Sequence, residues 1–251
     1  MQYHCMSLSQ AGARRGSLIG LKGEQGVEGV RDDGAIVEKR LGHIAPSAKC
    51  CPFPRLLFLL LAPIKFILQA FQLIWVLLSL PGPVHAMLVQ NPPSHTLPVA
   101  WLVCRLRGSK LVVDWHNFGY TIMSIDKGAS HPYVRLSAWY ERWFGARADA
   151  AICVTAAMRE WLKENWDIDA AVQHDRPPPF FRRASVAESH DLFGRLSDEF
   201  ADVAAASGAV AKGSNETVFT VCDGHGKAPR FRRERPALLI SSTSWTPDED
   251  F

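Results

Sequence analysis

Asp114, Trp115, His116 and Asn117 put a carboxylate, an indole, an imidazole and an amide on four successive residues. A base that takes a proton from a hydroxyl needs Asp, Glu or His in a crevice, with a neighbour that sets its pKa or its orientation. Asp114 and His116 are two residues apart, so on an extended backbone their side chains leave the same face and can interact. The competing use of the pair is structural: Asp114 caps the following turn and His116 bonds within the core, as polar residues that close a strand often do. Two other places carry polar chemistry. The segment QNPPS brings the amides of Gln90 and Asn91 and the hydroxyl of Ser94 onto a loop stiffened by two prolines. Thr155 offers a hydroxyl and the first N–H groups of a helix, where an anion is favoured. Arg230, Arg232, Arg233 and Arg235 cluster as well. They suit anionic head groups or a pyrophosphate, at about 1 kcal/mol per contact near a charged surface, or a solvated linker. No Gly-rich phosphate loop, H-E-x-x-H motif or Ser-His-Asp order is present, so nucleotide hydrolysis and proteolysis lack support.

The elements that would position these residues follow from the apolar pattern. Residues 85–89 form an apolar run into QNPPS, and residues 97–105 read as a helix stopped by Gly108. Residues 110–113 form a strand that runs into Asp114. Residues 132–144 have helical spacing, with Trp139, Tyr140 and Trp143 among the larger side chains. Residues 150–154 form another apolar strand, and Thr155 is the N-cap of the helix after it. This alternation predicts an α/β fold with a parallel sheet, covered on both faces because its strands are wholly apolar. Ligands of such sheets bind at the carboxyl ends of the strands, where Asn91, Ser94, Asp114, His116, Asn117 and Thr155 all fall. Further upstream, residues 1–12 read as a short helix, and residues 17–20 and 35–37 as short strands.

Residues 52–80 are the most apolar stretch, and residues 56–80 are long enough to cross a hydrocarbon core of about 30 Å. Pro63, Lys65, Gln69 and Gln72 count against a simple crossing. The last three share one face of a helix over residues 64–80. Three placements remain open: a helix lying in a membrane interface, a buried core helix, and a spanning one. In the interfacial case Phe66, Phe71 and Trp75 are the residues expected to touch lipid.

Composition narrows the classes further. Hydrophobic residues make up 47% and charged residues 21%, which excludes a disordered chain, a collagen and a coiled coil. The formal charge of +3 is small for a nucleic-acid binder, so no nucleic-acid partner is expected. The six cysteines include no C-x-x-C pair with matching His spacing, so no zinc site is expected from them, and a reducing compartment fits. Asn215 opens a glycosylation sequon that matters only in a secretory lumen.

In order along the chain, MQYHCMSLS, the apolar helix over residues 64–80, LVQNPPS, GSKLVVDWHNFGY, HPYVRLSAWYERWFG, ICVTAAMREWL and RPALLISSTSWTPDEDF resemble the chitobiosyldiphosphodolichol β-mannosyltransferase family. DWHNFGY and SSTSWT are its specific motifs, whereas residues 14–51 and 200–230 match poorly. The resemblance implies a glycosyltransferase of two Rossmann-like domains facing across a cleft at the cytosolic face of the endoplasmic reticulum membrane. Such an enzyme would transfer mannose from GDP-mannose to the 4-hydroxyl of the distal GlcNAc on dolichyl-pyrophosphate chitobiose, with inversion. GDP-mannose is then a donor substrate, and neither a cofactor nor a metal is expected. Asp114 or His116 is the expected base, with Asn91, Ser94 and Asn117 holding the acceptor sugar. Other mannosyltransferases of the pathway are further expected partners.

The same resemblance divides the chain into an acceptor-side domain over residues 1–199, a linker over 200–235, and the first strand and loop of a donor-binding domain over 236–251. A membrane anchor and a first strand are expected before MQYH, and the remainder of the second domain after residue 251. The 251-residue chain alone is therefore expected to transfer little or no mannose. The alternative is a non-catalytic paralogue or splice fragment that binds membrane or an intact transferase.

Overall fold

The computed structural model describes residues 1–13, 15–23, 26–42, 55–178, 181–207, 216–222 and 228–240. Two compact units divide the chain, Met1–Asp175 and Arg176–Phe251.

The first unit opens with α1 (Gln2–Gln10), β1 (Gly16–Leu21), α2 (Glu28–Arg31) and β2 (Ile36–Leu41). Strands β1 and β2 pair in parallel as a two-stranded sheet, around the small core of Leu18, Val30 and Ile36. Next come α3 (Arg55–Leu78), β3 (Ala86–Asn91), α4 (Thr96–Arg107), β4 (Lys110–Trp115), α5 (Gly119–Lys127), α6 (Pro132–Gly145), β5 (Ala150–Cys153), α7 (Ala156–Trp166) and β6 (Ala170–Val172). Strands β3, β4, β5 and β6 make one parallel sheet in that order. The predicted α/β class with a parallel sheet is therefore the observed one. Its register sets Gln90 beside Asp114 and Asn91 beside Trp115, and Asp114 beside Ile152. The carboxyl ends of β3, β4 and β5 thus bring QNPPS, Asp114–Asn117 and Thr155 to one edge.

The core explains why those strands are apolar throughout. Leu111, Val113 and Trp115 of β4, Cys153 of β5, Leu97 and Val103 of α4 and Leu162 of α7 are all buried. A strand covered on both faces has no solvent face on which to place polar residues. Gly145 lets α6 end close against the sheet: a Cβ there would sit 2.6 Å from the Trp115 ring and 3.1 Å from Ile168. Gly108 closes α4 at φ 66°, a left-handed turn that glycine takes without a Cβ penalty.

Helix α3 begins earlier than the predicted residue 64, runs through Pro63, and ends at Leu78. Leu77 is buried, and Ala70, Leu73 and Ile74 pack against the main core. The opposite side is open, with Phe71 64% and Trp75 75% exposed and Phe66 exposed beside them. Arg107 fixes the end of the helix by donating to the carbonyls of Leu77, Leu78, Leu80 and Gly82. Over residues 64–78 the helix is thus packed on one side only, which differs from a buried core helix. Among the described residues, no helix is long and apolar enough to cross a membrane.

The second unit contains α8 (Val186–Arg195), α9 (Ala201–Ser207) and the antiparallel pair β7 (Thr220–Val221) and β8 (Arg230–Phe231). Residues 200–235, expected to be a linker, hold α9 and both of these strands. Phe193, Phe200 and Phe219 pack ring against ring at 4.6–6.1 Å, Phe200 edge to face with both others, and give this part a small core. Residues 236–240, expected to start a second domain as a strand, form none. Leu239 is 97% exposed and nothing among the described residues pairs with this segment. The predicted loop at 241–251, Cys50, Cys51 and Asn215 lie outside the described residues.

Candidate active site

Asp114 closes β4 with only 2% of its surface exposed. Two imidazoles share one of its oxygens. His116 Nε2 lies 2.9 Å from Oδ2, and His4 Nε2, from α1, lies 3.2 Å from the same atom. The expected same-face pairing of Asp114 and His116 is therefore formed, and a second ring joins it. Both rings are 22% exposed, while the carboxylate is almost sealed. The His116 ring is hydrogen-bonded to that oxygen, whereas His4 only approaches it closely; with His116 Nε2 as the donor, its Nδ1 carries the ring's lone pair. On the outer side of His116, Nδ1 lies 3.7 Å from Asp175 Oδ2. An imidazole held in this tautomer by a buried carboxylate is equipped to accept a proton.

Behind this edge lies Glu141 of α6, fully buried. It accepts from Ser94 Oγ at 2.6 Å, Ser137 Oγ at 3.2 Å, Asn91 Nδ2 at 3.3 Å, Gly119 N at 3.1 Å and Tyr120 N at 3.0 Å. The last two are orphan donors of the first turn of α5, so a carboxylate from another helix does the work of an N-cap. Burial pushes the Glu141 carboxyl above its usual range, against the opposing pull of these hydrogen bonds. Gly119 is required at this approach: a Cβ would collide with Ser94 Oγ and come within 2.8 Å of Glu141 Oε1. Phe118 anchors the same turn on α7, with its ring 4.5 Å from that of Trp161.

The other expected acceptor residues are placed unequally. Asn91 is fully buried and donates to the Asn117 carbonyl at 3.1 Å as well as to Glu141. Ser94 is half-buried and engaged with Glu141, while the Asn117 side chain is exposed. Asn117 thus stands at the surface beside His116, and Asn91 and Ser94 stand behind the loop that carries them. Thr155 accepts from Met158 N at 3.1 Å and caps α7 as predicted.

Arg232 belongs to the second unit, where it pairs with Glu216 at 2.9 Å and donates to the Thr217 carbonyl at 2.7 Å. Arg235 lies over the Phe231 ring at 4.9 Å. Arg233 and Arg235 rim a cavity of about 570 Å³ floored by Phe193, Phe219 and Phe231.

Sequence patterns pointed to Asp114 and His116 but not to His4 or Glu141. His4 reaches the site from a helix far away in the chain, and only its residue type could have nominated it. Glu141 reads as an ordinary charged position of an amphipathic helix. Its one local signal is Ser137 four residues earlier, a spacing common on any helix.

Residues 4–178 match the family described as Glycosyl transferase 4-like domain. The match includes His4, Asp114, His116, Glu141 and Asp175. The mouse chitobiosyldiphosphodolichol beta-mannosyltransferase is 36% identical over 252 residues, covering 100% of this chain and 51% of the mouse protein. Its human counterpart is 44% identical over 191 residues, covering 75% of this chain and 40% of the human one. The UDP-glycosyltransferase TURAN of Arabidopsis thaliana is 34% identical over 259 residues, covering 100% of this chain and 54% of its own. The chain thus spans about half the length of the curated relatives it matches. Among solved structures, LpCGTa in complex with UDP aligns with a TM-score of 0.44 at 12% identity, over 78% of this chain and 60% of that one. That likeness is too weak to bear on the site. The match over residues 4–178, which takes in the whole parallel sheet and the edge carrying Asp114 and His116, makes this chain a member of the glycosyl transferase 4-like domain family.

Proposed function

We propose that this chain carries the acceptor side of a β-mannosyl transfer centre, which moves mannose from GDP-mannose to the distal GlcNAc of dolichyl-pyrophosphate chitobiose. The observation that carries this reading is the pair of imidazoles turned by one buried carboxylate at the carboxyl edge of the sheet. Asp114 is too enclosed to meet a sugar, so its role is to orient. His116 is the base: its Nδ1 takes the proton of the acceptor 4-hydroxyl as that oxygen bonds to the mannose anomeric carbon. The bond from that carbon to the diphosphate breaks on the opposite face and GDP leaves, so an α-linked donor gives a β-linked product. Asn117 is placed to hold the acceptor sugar, and Glu141 keeps its loop in register through Asn91 and the start of α5.

The acceptor is a membrane lipid, and the open side of α3 suits a lipid interface. Phe71 and Trp75 face outward there, mostly exposed, with Phe66 beside them and partly covered by the His95 ring. In this reading the site lies at the cytosolic face of the endoplasmic reticulum membrane, beside other mannosyltransferases that use the same lipid carrier. The open face also favours a second reading, a chain that binds membrane or an intact transferase without turnover.

Joining this chain to the part of the mouse relative that it does not match separates the two. Transfer of labelled mannose from GDP-mannose to a chitobiosyl-pyrophosphate lipid, lost with His116→Ala, supports the catalytic reading. Lipid binding with no transfer, from a folded fusion whose donor side binds GDP, supports the other.

A further inference from the structure

We propose that His4, Asp114 and His116 form a binding site for a divalent metal ion of the zinc class. The site goes beyond sugar transfer and does not rest on it. The three ligand atoms, His4 Nε2, Asp114 Oδ2 and His116 Nε2, lie within 4.8 Å of one another. The two nitrogens stand 3.2 and 2.9 Å from the oxygen. Around a tetrahedral zinc with bonds of about 2.0–2.1 Å, neighbouring ligand atoms are about 3.3–3.4 Å apart. Two of the three ligand–ligand spacings are therefore already close to those of a tetrahedral centre. Two imidazoles and one carboxylate match zinc and its transition-metal neighbours, whereas calcium and magnesium prefer oxygen alone.

A second observation points the same way. Metal-bound imidazoles usually offer their other nitrogen to an outer carboxylate, and Asp175 Oδ2 lies 3.7 Å from His116 Nδ1. The rings are partly exposed, so a fourth position is reachable from solvent for water or an anionic group. Metal on Nε2 and a proton on Nε2 exclude each other. A bound ion therefore displaces the His116–Asp114 hydrogen bond and moves the His116 proton to Nδ1, facing Asp175. With the ring proton on Nδ1, that nitrogen has no lone pair left, so ion binding at Nε2 and proton acceptance at Nδ1 exclude each other.

Titration of the 251-residue chain with Co(II), followed by visible absorption, tests the site. The expected result is saturation at one equivalent with the bands of a tetrahedral centre, displaced by Zn(II). His4→Ala and His116→Ala each weaken binding about a hundredfold or more, and Asp175→Asn weakens it about tenfold, in line with first- and outer-layer ligand losses. No saturable signal, or an unchanged midpoint in either Ala variant, overturns the proposal. Should those variants fail to fold, imidazole ¹⁵N spectra of the native chain decide. Zn(II) moving the Nε2 signals of His4 and His116 together at one equivalent supports it, and shifts confined to other histidines overturn it.

Discussion

At the scale of single residues, Glu141 shows how much of a polar site is held by groups that never touch a ligand. Its carboxylate gathers donors from the β3 loop, the start of α5 and α6 itself. Replacing it by Ala strands several buried donors at once, and a cost of about 3 kcal/mol is expected in urea unfolding. Its pH dependence has a definite sign. The folded-state pKa lies above the ordinary value of 4.5, so the ionised form is the disfavoured one. The stability linked to this group is present below that value and lost as pH rises toward the raised one. The native chain should therefore lose stability relative to Glu141→Gln as pH climbs through that window; a difference that stays flat with pH contradicts the assignment. The Asp114–His116 pair was legible in the sequence because an i, i+2 spacing on a strand fixes its geometry locally. His4 and Glu141 were not, because only the folding of α1 and α6 around β4 brings them there.

At the scale of elements, the strands and long helices were legible from apolar runs and capping residues, as with Thr155 ahead of α7. Thr155→Ala should cost about 1 kcal/mol, read from the same unfolding curves. Helix α5 was hidden because it starts at Gly119, a residue that reads as a turn, and takes its cap from Glu141 instead of a local side chain. Strand β6 is three residues long and has too few positions for a pattern. The stretch 200–235 was read as a linker from its Ala, Gly and charge content, while its order depends on three phenylalanines far apart in sequence. Gly145 is a sharper constraint than its place at a helix end implies. Gly145→Ala pushes a methyl into the Trp115 ring and should cost about 1–3 kcal/mol by overpacking. Helix α3 is amphipathic in an unusual sense, apolar on both its packed and its open side. Phe71→Glu with Trp75→Glu should abolish flotation with anionic liposomes while leaving the unfolding midpoint nearly unchanged, since both side chains are mostly exposed. Flotation equal to the native chain removes the lipid role.

At the scale of the molecule, the parallel sheet gathers Asp114 and His116 at one edge, which the proposed function uses to accept a proton, and α3 offers an apolar face that the same proposal sets against the membrane of a lipid-linked acceptor. The chain matches about half the length of the mouse relative, so the fusion with the unmatched mouse part is where the chemistry is best read. The decisive quantity is kcat/KM for mannose transfer from GDP-mannose to the chitobiosyl-pyrophosphate lipid, compared between the native fusion and its Asp114→Asn and His116→Ala forms. General-base catalysis of this kind contributes about 10²–10⁴-fold, so each substitution should lower kcat/KM by at least about a hundredfold with GDP binding intact. Transfer that survives both substitutions within a few fold would mean that the paired imidazoles at the end of β4 are not where the acceptor hydroxyl loses its proton.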